Sequence, residues 1–457
     1  MENLIVNDKE ELIEKHRPGG YLQVWNLSYP VVLTMISQTL IGLFGTMMIG
    51  RINTAQLGAA GLGSMVGWAF LSFFNGIIST ASTFVAQDYG AKQYNNIGRT
   101  AWHYIYIAIA SYLIMLIFGT ASNLILGFIG SSPEVQAYSI TYIRIQLYSG
   151  IGVFISFALI GFFRGIGNTK MPMYITIAVS IFNVFACYLL IFGKFGFPRL
   201  EVIGMAMANG ISSVFSAIIY LVIYLSRGNH KLYQTRVYYR IDLHYIRRLI
   251  RIGLPVGIQF FLDTASFSIF TSFIARMGNV PLAASNAVMT FMNASFMPLF
   301  GISVSATTLV GQFMGAKEVK HARKSGFTTI KLGFVSGTLM AIIFLIFSKQ
   351  LISLISHDPD VIDLGSKLLM LMSITRATEG IGVCSGGSLR GAGDTKFPMY
   401  VGLISAWTVF VPLSYLLGYT FNLGPIGAWI GTLSYILLYD TMVFARFVKG
   451  KWQSIRI

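Results

Sequence analysis

Charge is what this chain lacks most. Only 11% of its 457 residues are Asp, Glu, Lys or Arg, against roughly a quarter in an ordinary soluble domain. That is too little to cover a globule in water, which excludes a water-soluble enzyme. Cysteine is almost missing as well: Cys187 and Cys384 both sit in apolar runs, so neither a disulfide scaffold nor a zinc cluster can be built. No GxxxxGK[ST], HExxH or GxSxG spacing occurs, so ATP hydrolysis and the common hydrolytic chemistries find no support. The chain is expected not to be an enzyme. Its first 20 residues, MENLIVNDKEELIEKHRPGG, lack the basic start and apolar centre of a signal peptide.

Apolar length is what the chain has in excess. Hydrophobic residues make up 54% of it, and twelve stretches reach the roughly 20 residues that a spanning helix needs. They are 22–49, 57–86, 101–126, 137–162, 172–193, 203–225, 253–275, 283–310, 326–347, 364–388, 398–418 and 427–447. With a cytoplasmic N-terminus, 24 of the 33 Lys and Arg fall on the inner side and 6 on the outer. The remaining three, Arg144, Lys331 and Arg376, lie well inside spans, and Lys367 and Arg446, at span ends, are counted with the adjoining loops. By the positive-inside rule both termini are cytoplasmic. The net charge of +16 then reflects topology and contact with anionic membrane lipid, with no nucleic-acid partner required.

The chain repeats itself. RGIGNTKMPMY at 164–174 returns as RGAGDTKFPMY at 390–400, and AQDYGAK at 86–92 returns as GQFMGAK at 311–317. Pro30 and Pro255 share the same offset of 225. The expected fold is therefore an all-α polytopic membrane protein of twelve helices in two six-helix lobes, related as parallel repeats. Residues 1–20 form a cytoplasmic tail, 21–225 the first lobe, 226–252 a cytoplasmic connector, 253–447 the second lobe and 448–457 a second tail. In the repeated segment Gly allows close backbone approach and Pro opens the next helix. Its Arg and Lys are expected at the inner interface, as anchors of a loop brace.

Carboxylates at membrane depth are costly and mark function. Asp263 lies in the middle of the seventh span and Glu379 in the tenth, with Arg376 one turn before it. Their repeat counterparts are Gln38 and Val153, so the ionisable site belongs to one half only. A carboxylate there can titrate, or hold a small cation with help from Gln259, Thr264, Asn286, Thr290 and Asn293. Asp440, two turns from the end of the twelfth span, is expected at the interface, reaching headgroups or Arg446. Arg144 is read as a packing or snorkelling cation.

Twelve spans in two halves, with RGxGxTKxP after the fourth and tenth and QxxGAK after the second and eighth, resemble the multidrug and toxic compound extrusion (MATE) transporters over residues 20–450. The resemblance implies export of amphipathic organic cations against Na⁺ or H⁺, with no other cofactor. GLPVGIQFFLD and TEGIGVCSGGSLRG place Asp263 and Glu379 at the acidic positions of the NorM-like branch, as coupling sites for H⁺ or for Na⁺. Arg376, Gln259, Thr290 and Asn286 are the supporting residues. Two departures accompany it: Gly45 stands where the family often has a first-span Asp, and Cys187 follows Asn183 where another branch has Asp. A monomer in the inner membrane is expected. A carrier for a specific metabolite and a flippase for a lipid-linked precursor remain alternatives.

Overall fold

The computed structural model describes residues 18–50, 52, 54–120, 122, 133–237 and 239–455. Most of the first tail (1–17), the end of the third expected span (123–126) and residues 456–457 lie outside the described residues. The elements are α1 (Tyr21–Gly50), α2 (Thr54–Ser79), α3 (Ala81–Gly90), α4 (Tyr94–Thr120), α5 (Pro133–Tyr148), α6 (Gly150–Gly165), α7 (Lys170–Phe192) and α8 (Glu201–Tyr224). They continue as α9 (Arg227–Tyr233), α10 (Leu243–Arg276), α11 (Asn279–Gly315), α12 (Val319–Ser353), α13 (Pro359–Gly391), α14 (Lys396–Thr420) and α15 (Gly424–Lys449). No strand occurs among the described residues. Helices are what a lipid-facing chain must form, because only they satisfy every backbone group within the segment.

Among the described residues ten helices are long and apolar enough to cross a membrane, and the bent pair formed by α5 and α6 makes an eleventh. The remaining expected span, the tenth (364–388), corresponds to α13. Arg376 and Glu379 make it more polar than the others, and its C-terminal half is packed among neighbouring helices. Gly333 and Gly337 of α12 approach the backbone of α13 at Gly380 and Arg376, and Gly387 and Gly391 of α13 approach α11 at Ser303 and Thr307. A Cβ at any of these five glycines would overlap the neighbouring helix. Small residues four apart let membrane helices pack this closely.

The chain packs as two compact units, one taking residues up to Val32 and from Ile258 on, the other Leu33–Gly257. Both limits fall two residues after a proline within a helix, Pro30 in α1 and Pro255 in α10. The first unit is centred on Phe270, Phe410 and Trp429 and, nearer the C-terminus, on Phe447 and Trp452. The second has a core around Tyr142, Cys187, Ile191 and Met205.

Both repeated motifs prove to be helix stops. Gly167 and Gly393 take left-handed backbone, φ 81° and 88°. Each closes the preceding helix by paired bonds, Gly167 N–H to Arg164 O and Asn168 N–H to Phe163 O, then Gly393 N–H to Arg390 O and Asp394 N–H to Leu389 O. This is the Schellman arrangement. QxxGAK does the same with a lysine in the left-handed position, Lys92 at φ 56° and Lys317 at φ 61°. The arginines of the first motif are thus in the last helical turns of α6 and α13, not in a loop at the interface.

Candidate functional site

Within the first unit, α10, α13 and α15 bring the sequence-selected acids into two settings. Asp263 on α10 accepts a hydrogen bond from the Tyr435 hydroxyl of α15 at 3.3 Å. Gln259, one turn earlier, donates to the Tyr439 hydroxyl oxygen at 3.0 Å, and Tyr435 and Tyr439 are one turn apart on α15. Tyr435 is fixed from behind by Phe410, with ring centroids 5.4 Å apart. Phe410 lies in a stretch of α14, Ser405–Phe410, wound as wider i→i+5 turns, a distortion frequent at functional sites.

Glu379 is held differently. Its Oε2 lies 2.6 Å from Nη1 of Arg376, whose side chain is 1% exposed. Arg376 also donates to Ser295 Oγ at 3.1 Å and to Thr375 Oγ1 at 3.3 Å. Two residues three apart on one helix face are well placed for such a pair, and burial removes the water that would weaken it.

The helpers divide. Gln259 joins the Asp263 setting. Asn286 and Thr290 lie on an exposed face of α11, where the Thr290 hydroxyl donates to the Asn286 carbonyl at 2.9 Å. Thr264 donates to Phe260 O at 2.8 Å. Arg144 donates to Ser122 Oγ at 3.1 Å.

Two expectations are corrected. Asp440 is 3% exposed rather than interfacial. It turns to α13, where its carboxylate fills the space that a Cβ on Gly382 would need. Arg446 pairs instead with Asp394 at 2.8 Å. Arg390 is no surface anchor: its guanidinium reaches Ser303 Oγ at 3.3 Å and its charge faces Asp263 and Tyr439. The sequence signal for Asp440 was the Gly382–Gly386 pair, a GxxxG spacing that brings α15 close.

The second unit holds a neutral counterpart. Asn183 donates to Asn209 Oδ1 at 3.0 Å and to Ser212 Oγ at 3.1 Å, and Cys187 to Asn183 Oδ1 at 3.6 Å. Tyr142 receives bonds from Ser64 and Asn209. None of these side chains carries a charge.

A many-span helical membrane protein, duplicated, with acids inside the apolar spans of one unit only among the described residues, has the make-up of an ion-coupled carrier. The MatE family profile matches residues 30–189 and 255–416, and the chain belongs to that family, a family of transporters. It is 27% identical to the Thermotoga maritima "Probable multidrug resistance protein NorM" over 98% of this chain and 96% of that protein. It is also 27% identical to the Proteus mirabilis multidrug resistance protein MdtK over 89% and 90%. Among solved structures, the eukaryotic MATE transporter AtDTX14 superposes with a TM-score of 0.84 at 19% identity, covering 94% of this chain and 96% of that one. An outward-facing multidrug resistance MATE transporter gives 0.81 at 18% identity, covering 93% and 95%.

Proposed function

We propose that this chain is a secondary antiporter exporting amphipathic, cationic drugs or toxic small molecules in exchange for Na⁺ or H⁺. It works as a monomer in the inner membrane with both termini cytoplasmic, the halves 21–225 and 253–447 acting as lobes joined by 226–252. The observation that carries this reading is the pair of acids on membrane spans of one unit, each with a fixed polar partner. An ionised carboxylate at that depth attracts a cation, and an ion that neutralises it weakens the hold on a cationic substrate, which is the differential affinity antiport requires. The names of the relatives as multidrug resistance proteins support the substrate class. At Glu379 the guanidinium 2.6 Å away repels a second cation, which favours H⁺ over a metal ion there. Arg376 is occupied by Glu379 and Arg144 by Ser122, so a pyrophosphate-binding flippase has little cationic surface to use.

The test is ethidium efflux from proteoliposomes with Na⁺ and H⁺ gradients imposed separately. Gradient-driven movement in the native protein, abolished in Asp263→Asn, is the expected result. Ethidium movement indifferent to both gradients would sink the antiport reading.

A further inference from the structure

Asp440 is a third buried acid on these spans, and the proposed coupling does not yet use it. α15 meets α13 along Gly382 and Gly386, and the Asp440 carboxylate lies in the notch at Gly382. Gly382 follows Glu379 by one helical turn, and Arg376 precedes Glu379 by one, so all three are on neighbouring parts of the same face. Glu379 and Arg376 are the charged groups that face Asp440 across the helix contact, and Tyr435 and Tyr439 are the titratable groups that face it from its own helix. Three polar atoms here are buried without a hydrogen-bond partner: Oδ2 of Asp440, Nε of Arg376 and Oε2 of Glu379, which meets Arg376 as an ion pair.

The charge count is what makes this unusual. One guanidinium faces two carboxylates, so with both acids ionised the cluster would carry an uncompensated negative charge in a water-poor interior. Such a charge is too costly to persist, and the group neutralises by taking a proton. We propose that Asp440 and Glu379 form a two-carboxylate site that holds one exchangeable proton opposite Arg376. Glu379 then does not act alone. The site rests on the antiport reading only for its role in coupling; the proton itself follows from the charge balance. When a carboxylate of the pair ionises, the proton leaves to whichever side of the membrane is open.

A shared proton has a signature that independent acids lack. Removing either carboxylate leaves the other to balance Arg376, so no protonated acid remains in the cluster. The infrared spectrum of the purified native protein in lipid at neutral pH should therefore show a protonated-carboxyl C=O band that shifts in deuterium oxide. That band should vanish in Asp440→Asn and equally in Glu379→Gln, while any contribution of Asp263 is common to all three and cancels in the differences. Glu379→Gln keeps the question answerable if Asp440→Asn does not fold. Persistence of the full band in either variant would overturn the shared site. In proteoliposomes, Asp440→Asn should lose H⁺-driven ethidium efflux yet retain ethidium exchange between the two sides without a gradient. H⁺-driven efflux at the native rate in Asp440→Asn would overturn the coupling role. If the native protein moves no ethidium under any gradient, the antiport reading fails, and the infrared bands still decide the proton site.

Discussion

The helix pair α5 and α6 and the single helix α13 are the same element written twice, and they have diverged at one point. Gly161 and Gly165 of α6 match Gly387 and Gly391 of α13 at an offset of 226. Gly161 and Gly165 pack on Ala81 and Val85 in one half, and Gly387 and Gly391 on Ser303 and Thr307 in the other. The outer parts differ. In the first half the chain bends by 44° between Tyr148 and Gly150, at a Ser–Gly pair where the Ser149 hydroxyl turns back to Ile145 O at 2.8 Å. Sharp kinks gather at such pairs. In the second half the helix runs on for 33 residues, and the position of Gly150 is taken by Arg376. Duplication kept the close-packing residues, whereas the Arg376–Glu379 pair occurs in one copy and a bend in the other.

The strongest way to break this comparison is at those two positions. Arg376→Met leaves Glu379 and Asp440 without their cation, and breaking a buried pair from one side costs about 3–5 kcal/mol. Gly150→Ala adds a methyl that meets only ordinary contacts, Leu71 at 3.5 Å and Phe154 at 4.0 Å. It removes a flexible residue from a helix start, an effect of about 1 kcal/mol or less. Thermal unfolding in detergent, followed by size-exclusion chromatography, should show a large drop for the first and near-native behaviour for the second. Equal tolerance at both sites would mean that the Arg376 cluster is not the structural centre of its half.

The scaffold was legible in the sequence because its signals are long or repeated. Twenty-residue apolar runs, two prolines 225 apart and two duplicated motifs need no knowledge of neighbours. Asp263, Glu379 and Arg376 were legible for a related reason, since charge stands out against an apolar run. Asp440 was misplaced because depth was judged from distance along its own helix, whereas its burial is decided by a glycine notch on α13. Arg390 was misread because a motif beside a turn looks like loop, although the turn begins only at Gly393. Tyr435 and Tyr439 carry no signal against a background of 23 tyrosines; only the packing of α15 on α10 selects them.

A subtler comparison is drawn by the helix stops. The RGxG stops use glycine in the left-handed position, and the QxxGAK stops use Lys92 and Lys317 there. A non-glycine residue in that conformation costs roughly 1–2 kcal/mol, partly offset because glycine loses more freedom on folding. Lys92→Gly and Lys317→Gly should each raise stability by about 0.5–1 kcal/mol, read as a higher melting temperature. A fall in both would mean that the lysine side chains hold these helix ends by contacts that outweigh the backbone strain.

The smallest expected effect separates the two halves at the ends that carry residues 226–242 and Trp452. Residues 226–242 strap down the first: Trp102 Nε1 donates to Thr235 O at 2.8 Å, Tyr106 to Tyr239 O at 2.8 Å, and Arg99 pairs with Asp242 at 2.6 Å. The second is closed by an apolar plug, Trp452 stacked on Phe447 at 5.2 Å. The Tyr245 backbone N–H and the Arg99 guanidinium hold the Asp242 carboxyl below its ordinary value. Its stabilisation is therefore complete above the ordinary Asp value of about 4 and is lost as pH falls through the lower folded value. Hydrogen exchange along 226–242 should stay constant from neutral pH down to that range, after correction for the intrinsic rate. It should then rise below it, with no matching rise around Trp452. Asp242→Asn should raise strap exchange slightly at neutral pH and remove the acid-side rise. The Asp242 N–H also donates to His103 Nε2 at 3.3 Å, so strap opening that begins in the imidazole range would assign the pH response to His103 instead.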